Sequence, residues 1–401
     1  MLITVPRQQQ RFPVARALMV LLLLLAVWAP AVSADYDLLQ QAGRNSTLDT
    51  LLQHAIRRQL ISGAVVQVGN RHGVLYRSAV GRSGFAPDDP PLTVDSVFDV
   101  ASLTKVYATT PAIVRLMDQG TLSLLDPLSR WFPEFKGSPV TVLHLLTHTS
   151  GLHDGLLDRA APLESAIVRA AALASNTAPG TRFQYADINF ILLGNLVRRI
   201  TSMGLDQYCR EQFYQPLDMH LTGFNPQPDR NIAATQGGAS GVLRGIVQDT
   251  NARLLGGIAG HAGLFSTADD LGRFSRMVLG GGMLDGKRVL SPQAVRQMIA
   301  PYYTRDGRIV RGLGWDRESP YSSARGTLFS DASFGHTGYS GTSVWIDPEA
   351  DLYVVLLTTR VNYTDRRSFN RMRSDVATLA AALFADHAQR YLVKLPQMPH
   401  P

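Results

Sequence analysis

Ala101-Ser102-Leu103-Thr104-Lys105 is the stretch on which the reading of this 401-residue chain turns. The chain holds four lysines, Lys105, Lys136, Lys287 and Lys394, and only Lys105 has a serine three residues before it. Apolar residues at Val106, Ala112, Ile113, Leu116 and Met117 follow a helical period. Asp99 and Ser102 stand where a helix takes its caps, which puts Ser102 in the first turn. Residues i and i+3 share a helix face, so Lys105 is expected beside the Ser102 hydroxyl. A serine hydroxyl is too weakly acidic to attack unaided. A neighbouring desolvated amine can take its proton, and a helix N-terminus favours the oxyanion that develops. Taken alone, Ser-x-x-Lys reads better as a capping serine beside a solvated lysine.

Two further groups lie downstream. Tyr185-Ala186-Asp187 precedes the helical pattern of Ile191, Leu192, Leu196 and Ile200, so it falls in the loop at that helix's start. A phenol there can relay a proton between nucleophile and leaving group. The plainer alternative makes Asp187 an N-cap and Tyr185 a packing residue. His336-Thr337-Gly338 comes just before a strand, where a glycine would let a substrate backbone lie against the strand edge. The N–H of Tyr339, with that of Ser102, can form an oxyanion hole.

The flanks set the architecture. Residues Thr47 to Leu60 carry a helical period, and Ala64–Val68 and Val74–Val80 flank a turn at Asn70-Arg71-His72-Gly73, a hairpin. Thr342–Ile346 and Leu352–Thr358 form a second hairpin around Asp347 to Asp351. An amphipathic helix is predicted from about Phe369 to Tyr391. One antiparallel sheet built from both ends of the chain is expected, with a mostly helical part over about 102–300 set into an α/β part over about 45–101 and 301–391. The fold class is α/β in the α+β sense, as one domain over 35–401.

Composition narrows the function. With 45% hydrophobic and 18% charged residues, the chain is neither collagen-like, coiled-coil nor largely disordered. Residues 1–34 hold Arg7, Arg11, Arg16, an apolar run from Ala17 to Ala29 and small residues at Ala31 to Ala34. They read as a signal peptide cleaved before Asp35, exporting the protein to the periplasm, with an uncleaved membrane anchor as the alternative. The remaining positive charge forms no stripe, which argues against nucleic acid. Cys209, the single cysteine, makes no internal disulfide and reads as a small buried apolar residue. No Gly-x-Ser-x-Gly, Gly-x-Gly-x-x-Gly, Walker or His-Glu-x-x-His motif occurs. His144, His148 and His153 have spacings a metal can use but lack a neighbouring carboxylate pattern, so no metal or other cofactor is expected. His261 sits in a Gly-rich loop, the kind of segment that functional residues favour. Ser266, Thr267, Asp269 and Asp270 read as a capped helix start.

Taken together and in this order, Ser102-x-x-Lys105, Tyr185-x-Asp187 and His336-Thr337-Gly338 resemble the superfamily of class C β-lactamases, low-molecular-mass penicillin-binding proteins and related esterases. Gly120 to Pro127, Leu145 to Leu152 and Gly260 to Ala268 extend the resemblance to roughly residues 45–390. The resemblance implies a β-lactamase/transpeptidase-like fold with a cleft between sheet and helical lobe. It implies Ser102 as acyl-enzyme nucleophile, Lys105 and Tyr185 jointly as its proton partners, and Asp187, His336, Thr337, Gly338 and Tyr339 as substrate-binding and oxyanion residues. Asp187 stands where Asn is usual, so a carboxylate can hold Lys105 protonated. His336 stands where β-lactamases usually have Lys, which argues against an efficient β-lactamase and resembles some D-alanyl-D-alanine peptidases and esterases. The first functional expectation is a D-alanyl-D-alanine carboxypeptidase-like enzyme of peptidoglycan metabolism that takes β-lactams as ligands. The alternatives are a class C-like β-lactamase, a small-ester esterase or D-amino acid amidase, and a penicillin-binding sensor with little turnover. The sequence leaves the oligomeric state open.

Overall fold

The computed structural model describes residues 47–174, 178–228, 231–305 and 308–385. The expected signal peptide, and the end of the predicted C-terminal helix, lie outside them. The chain divides into two compact units, Met1–Leu48 and Asp49–Pro401. Of the first, only Thr47 and Leu48 are described, and both are helical.

In the second unit, β1 (Ile61–Asn70) and β2 (Gly73–Gly81) form the first hairpin. β3 (Phe334–Thr337), β4 (Ser343–Asp347) and β5 (Leu352–Arg360) follow from the other end of the chain. They make one antiparallel sheet in the order β3-β4-β5-β1-β2, so the sheet does draw on both ends of the sequence. β4, β5 and β1 are its inner strands, and β5 is buried along its whole length, which requires cover on both faces.

Side-chain alternation identifies the two covers. Gln67 and Tyr353 point to one face, where the Gln67 amide donates to the Tyr353 hydroxyl at 3.0 Å. The Ala268–Leu279 helix lies there, and Gly272 allows the approach, because a Cβ on it would collide with the Gln67 amide. Tyr76 pairs with Val68 and so points to the opposite face, where it stacks on Phe384 of the Arg366–Phe384 helix at 5.7 Å. Thr267 accepts from Asp270 N–H at 3.2 Å to start the first of these helices. One of the sheet's two covers therefore comes from the middle of the chain, inside the stretch of about 102–300 expected to form the mostly helical part.

The helical part contains Thr110–Asp118, Pro162–Ala174 and Ile188–Thr201. A three-stranded sheet, with Leu264–Ser266 between Phe98–Asp99 and Gly223–Phe224, feeds the chain into Ser102. One apolar cluster joins Val65, Val344 and Val355 of the large sheet to Leu103, Phe190 and Phe213 of the helices. Among the described residues no helix is long and apolar enough to cross a membrane.

Candidate active site

The chain does not enter the Ser102 helix as a regular α-helix. Ala101–Leu103 is a 3₁₀ turn, Lys105–Thr109 a π-helical turn, and α-helix begins only at Thr110. Such departures concentrate at functional sites. Ala101 sits at φ 48°, a left-handed conformation costly for a residue with a Cβ. The turn is held by Asp99, whose Oδ1 accepts the Ala101 N–H at 2.8 Å and whose Oδ2 accepts the Gln248 N–H at 2.7 Å. Asp99 thus works in an Asx turn, and Ser102 caps nothing. Burial raises the Asp99 pKa from 3.8 to about 6, against the two N–H donors that lower it, with nearby Asp249 adding to the rise.

Lys105 is fully buried, and its Nζ lies 3.0 Å from Ser102 Oγ, 3.0 Å from the His261 carbonyl and 2.7 Å from Asp187 Oδ1. The i, i+3 pairing expected of a regular helix is met through the irregular one. Burial works against the ammonium, but the Asp187 carboxylate and the Tyr185 phenol outweigh it and hold the lysine pKa above its usual value. Lys105 Nζ lies 5.0 Å from the centroid of the Tyr185 ring; burial raises the Tyr185 pKa, partly offset by Lys105. Its ring stacks on the buried His148 at 4.4 Å.

Asp187 makes no capping hydrogen bond to its helix. The Ile188 N–H is instead accepted by Asp154 Oδ1 at 2.9 Å, which frees the Asp187 carboxylate to face Lys105. The capping alternative for Asp187 is thereby overturned. Only the fold brings Asp154 to this position.

His336 is buried, and its Nδ1 lies 2.9 Å from the Thr337 carbonyl, so that nitrogen carries the proton and Nε2 is left as an acceptor without a partner among the described residues. Burial, with Arg311 and Lys105 nearby, lowers its pKa well below the usual histidine value and keeps it neutral. Arg311 supplies no free cation, being buried, 3.6 Å from Asp316 and bonded to the Gly314 carbonyl at 2.7 Å. Thr337 is half-exposed at the end of β3.

Gly338 has a different reason for being glycine than substrate approach. A Cβ there would collide with Thr342 Oγ1 and lie 2.6 Å from the Val100 carbonyl and 3.3 Å from Ala101 Cβ. The glycine lets the strand end press on the Ser102 turn. Arg373 then fixes that strand end, donating to the Gly338 and Thr342 carbonyls at 2.6 and 2.8 Å. Burial, with Arg360 nearby, pulls its pKa down to about 9. The sequence clue to Arg373 is its place in the apolar stripe of Phe369, Met372, Val376 and Ala377. Neither the Ser102 nor the Tyr339 N–H makes a hydrogen bond among the described residues.

The remaining histidines and Cys209 have structural duties. His148 Nδ1 accepts the Ala186 N–H at 3.2 Å, His144 closes a capping box with Thr141, and His153 is exposed. His261 is buried and spends Nε2 on Asp249 Oδ1 at 2.8 Å, so it reaches the site through its carbonyl. Burial opposes the Asp249 carboxylate, but His261 and the Ala252 N–H bring its pKa to about 2. Among the described residues, Asp187, Asp249 and His261 are grouped as metal ligands would be, and the Lys105 ammonium already supplies their positive charge. Cys209 is buried and free, with its thiol toward the Ala108 carbonyl.

The chain is 29% identical over 400 residues to an Escherichia coli (strain K12) protein provisionally named D-alanyl-D-alanine carboxypeptidase, covering 85% of this chain and 90% of that one. It is 30% identical over 303 residues to an N-acetylmuramyl-L-alanine amidase of Bacillus subtilis (strain 168), covering 66% and 68%. A penicillin-binding protein homologue of Caulobacter crescentus shares the fold with a TM-score of 0.69 at 19% identity, over 85% of this chain and 98% of that one. The model of one family, Beta-lactamase, matches residues 48–378. A match of that length on this fold makes the chain a member of the beta-lactamase family, within the superfamily of serine β-lactamases and penicillin-binding proteins.

Proposed function

We propose that this is an exported serine hydrolase of peptidoglycan metabolism that works through an acyl-enzyme on Ser102, as one domain over 35–401. The observation that carries the reading is the Lys105 ammonium 3.0 Å from Ser102 Oγ, with the Tyr185 ring centroid 5.0 Å from the same ammonium. Lys105 becomes a base when one of its protons crosses 2.7 Å to Asp187. The neutral amine then takes the Ser102 proton as Oγ attacks the substrate carbonyl. The Ser102 and Tyr339 N–H groups stabilise the oxyanion. Tyr185 passes a proton from Lys105 to the leaving nitrogen as the C–N bond breaks. Water then attacks the ester by the same relay in reverse, returning the proton to Ser102.

D-alanyl-D-alanine peptide termini are the first substrate class, supported by the name of the E. coli relative. A second reading, the amide joining a muramyl sugar to L-alanine, is favoured by neutral His336 and by Arg311 being tied up, since neither offers a substrate carboxylate a free cation. It also agrees with the name of the B. subtilis relative.

The test is intact mass of the protein over time with a penicillin and, separately, with a fluorophosphonate, using wild type and Ser102→Ala. The expected result is a wild-type fluorophosphonate adduct that the variant lacks. A persistent penicillin adduct supports the peptidase, and consumption of the drug a β-lactamase. A fluorophosphonate adduct alone supports the amidase. A wild type labelled by neither reagent, or a variant labelled like wild type, overturns the Ser102 assignment.

A further inference from the structure

Tyr339 also lines a cavity of about 720 Å³, in the range of small-ligand sites. Its walls include Tyr339, Tyr363, Gln236, Gln248, Asn362 and Arg58, with no carboxylate among the lining residues. We propose that this cavity is a saccharide subsite, binding a sugar ring of a peptidoglycan-type glycan chain whose peptide enters the Ser102 cleft. The inference rests on the hydrolase reading above and adds the glycan to it.

Three features carry it. The first is an aromatic platform: Tyr339 is 57% exposed, and its ring centroid lies 5.2 Å from that of Tyr363 with the planes at 41°. A pyranose presents axial C–H bonds on one face, and an aromatic face takes such a surface with little loss of side-chain freedom. The second is that the platform is braced before any ligand arrives. The Arg360 guanidinium lies 4.3 Å from the Tyr363 ring centroid and donates to the Tyr339 carbonyl at 3.2 Å and the Asn362 carbonyl at 3.1 Å. A preformed wall saves the ordering that binding otherwise costs.

The third is the polar lining. Gln248 donates to the Gln236 carbonyl at 2.6 Å and to the Tyr363 hydroxyl at 3.0 Å, while its Oε1 has no partner among the described residues. The Gln248 amide nitrogen is thereby spent within the wall, where it holds the Tyr363 ring, and the Gln236 amide and the Arg58 guanidinium remain in the lining to meet hydroxyl and acetamido groups. The geometry also places the cavity usefully. Tyr339 follows Gly338 directly, and the Gln248 backbone N–H is bonded to Asp99, which holds the Ser102 turn. A sugar on the platform therefore lies against the side chain of the residue whose N–H is a proposed oxyanion donor.

The test titrates the full chain with tri-N-acetylchitotriose by calorimetry, for wild type, Tyr363→Phe and Tyr363→Ala, with thermal midpoints checking the fold. Wild type is expected to bind in the millimolar range or tighter, at about −4 kcal/mol or better. Tyr363→Phe keeps the ring and is expected to bind nearly as well, whereas Tyr363→Ala is expected to weaken binding roughly five- to tenfold. No binding by wild type, equal binding by folded Tyr363→Ala, or displacement of the sugar by a D-alanyl-D-alanine peptide would each overturn the subsite. Fluorophosphonate labelling of wild-type Ser102 separates the two claims. Labelling without sugar binding sinks the subsite alone, and sugar binding without labelling sinks the hydrolase reading alone.

Discussion

A carboxylate 2.7 Å from Lys105 decides what that lysine does at rest. Buried without a counter-charge, an amine loses its proton easily, whereas beside Asp187 it stays an ammonium and gives hydrogen bonds to Ser102 and the His261 carbonyl. Asp187→Asn removes the opposing charge and leaves burial to act, so the lysine pKa falls. The rate of Ser102 acylation by a small activated ester, measured from about pH 7 to 9, is expected to gain a limb rising with pH that wild type lacks there. Its alkaline plateau is expected within about tenfold of wild type. A variant inactive at every pH would show that Lys105 is not the proton acceptor. Ser102, Lys105, Tyr185 and Asp187 were legible because their motifs are local. Asp154 was not, because its partner Ile188 lies far along the chain and only the folded loop brings the two together.

At the scale of elements, the Ser102 turn is a strained segment held from outside. Ala101 at φ 48° needs the Asp99 carboxylate, which serves two N–H donors with two oxygens. Protonation below about pH 6 turns one oxygen into a donor and weakens that hold, so acylation is expected to rise with pH through about 6. Stability runs the other way. The folded pKa lies above the unfolded value of 3.8, so the native state takes up the proton first. The Asp99 contribution to stability is therefore largest below about pH 4 and declines as pH rises through 6. Asp99→Asn has a single acceptor oxygen at every pH. Its acylation rate is expected to stay near the acid-side value of wild type without the rise, and its thermal midpoint to improve relative to wild type between pH 4.5 and 7. A rise through pH 6 that survives the substitution would place the titration elsewhere. Both hairpins were legible because alternation and turn residues are local signals. The 3₁₀ and π turns around Ser102 were not, since tertiary bonds impose them on a sequence that reads as plain helix. The packing role of Gly338 was hidden for the same reason.

At the scale of the molecule, sheet and helical part share more than a cleft. Ser340 Oγ donates to the Asp99 carbonyl at 2.7 Å and Thr342 Oγ1 to the Val100 carbonyl at 3.0 Å, tying the β3–β4 turn to the Ser102 turn. The Ala268–Leu279 helix leaves the helical stretch to cover β1 and β5, and one apolar cluster runs through both parts. An inserted subdomain that unfolded alone would have to tear that cluster and strip one face of the sheet. One cooperative transition is therefore expected, although chains of this length often unfold in stages. The tryptophans report on the two parts separately. Trp131 packs against the core within the helical part, and Trp345 is buried in β4. Chains lacking residues 1–34 and retaining only Trp131, or only Trp345, with the other tryptophans replaced by Phe, are expected to give the same urea midpoint by fluorescence as by far-ultraviolet circular dichroism. A Trp131 midpoint clearly below that of Trp345, in chains of equal overall stability, would mean that the helical part is a separate folding unit and that the single domain proposed over 35–401 must be divided.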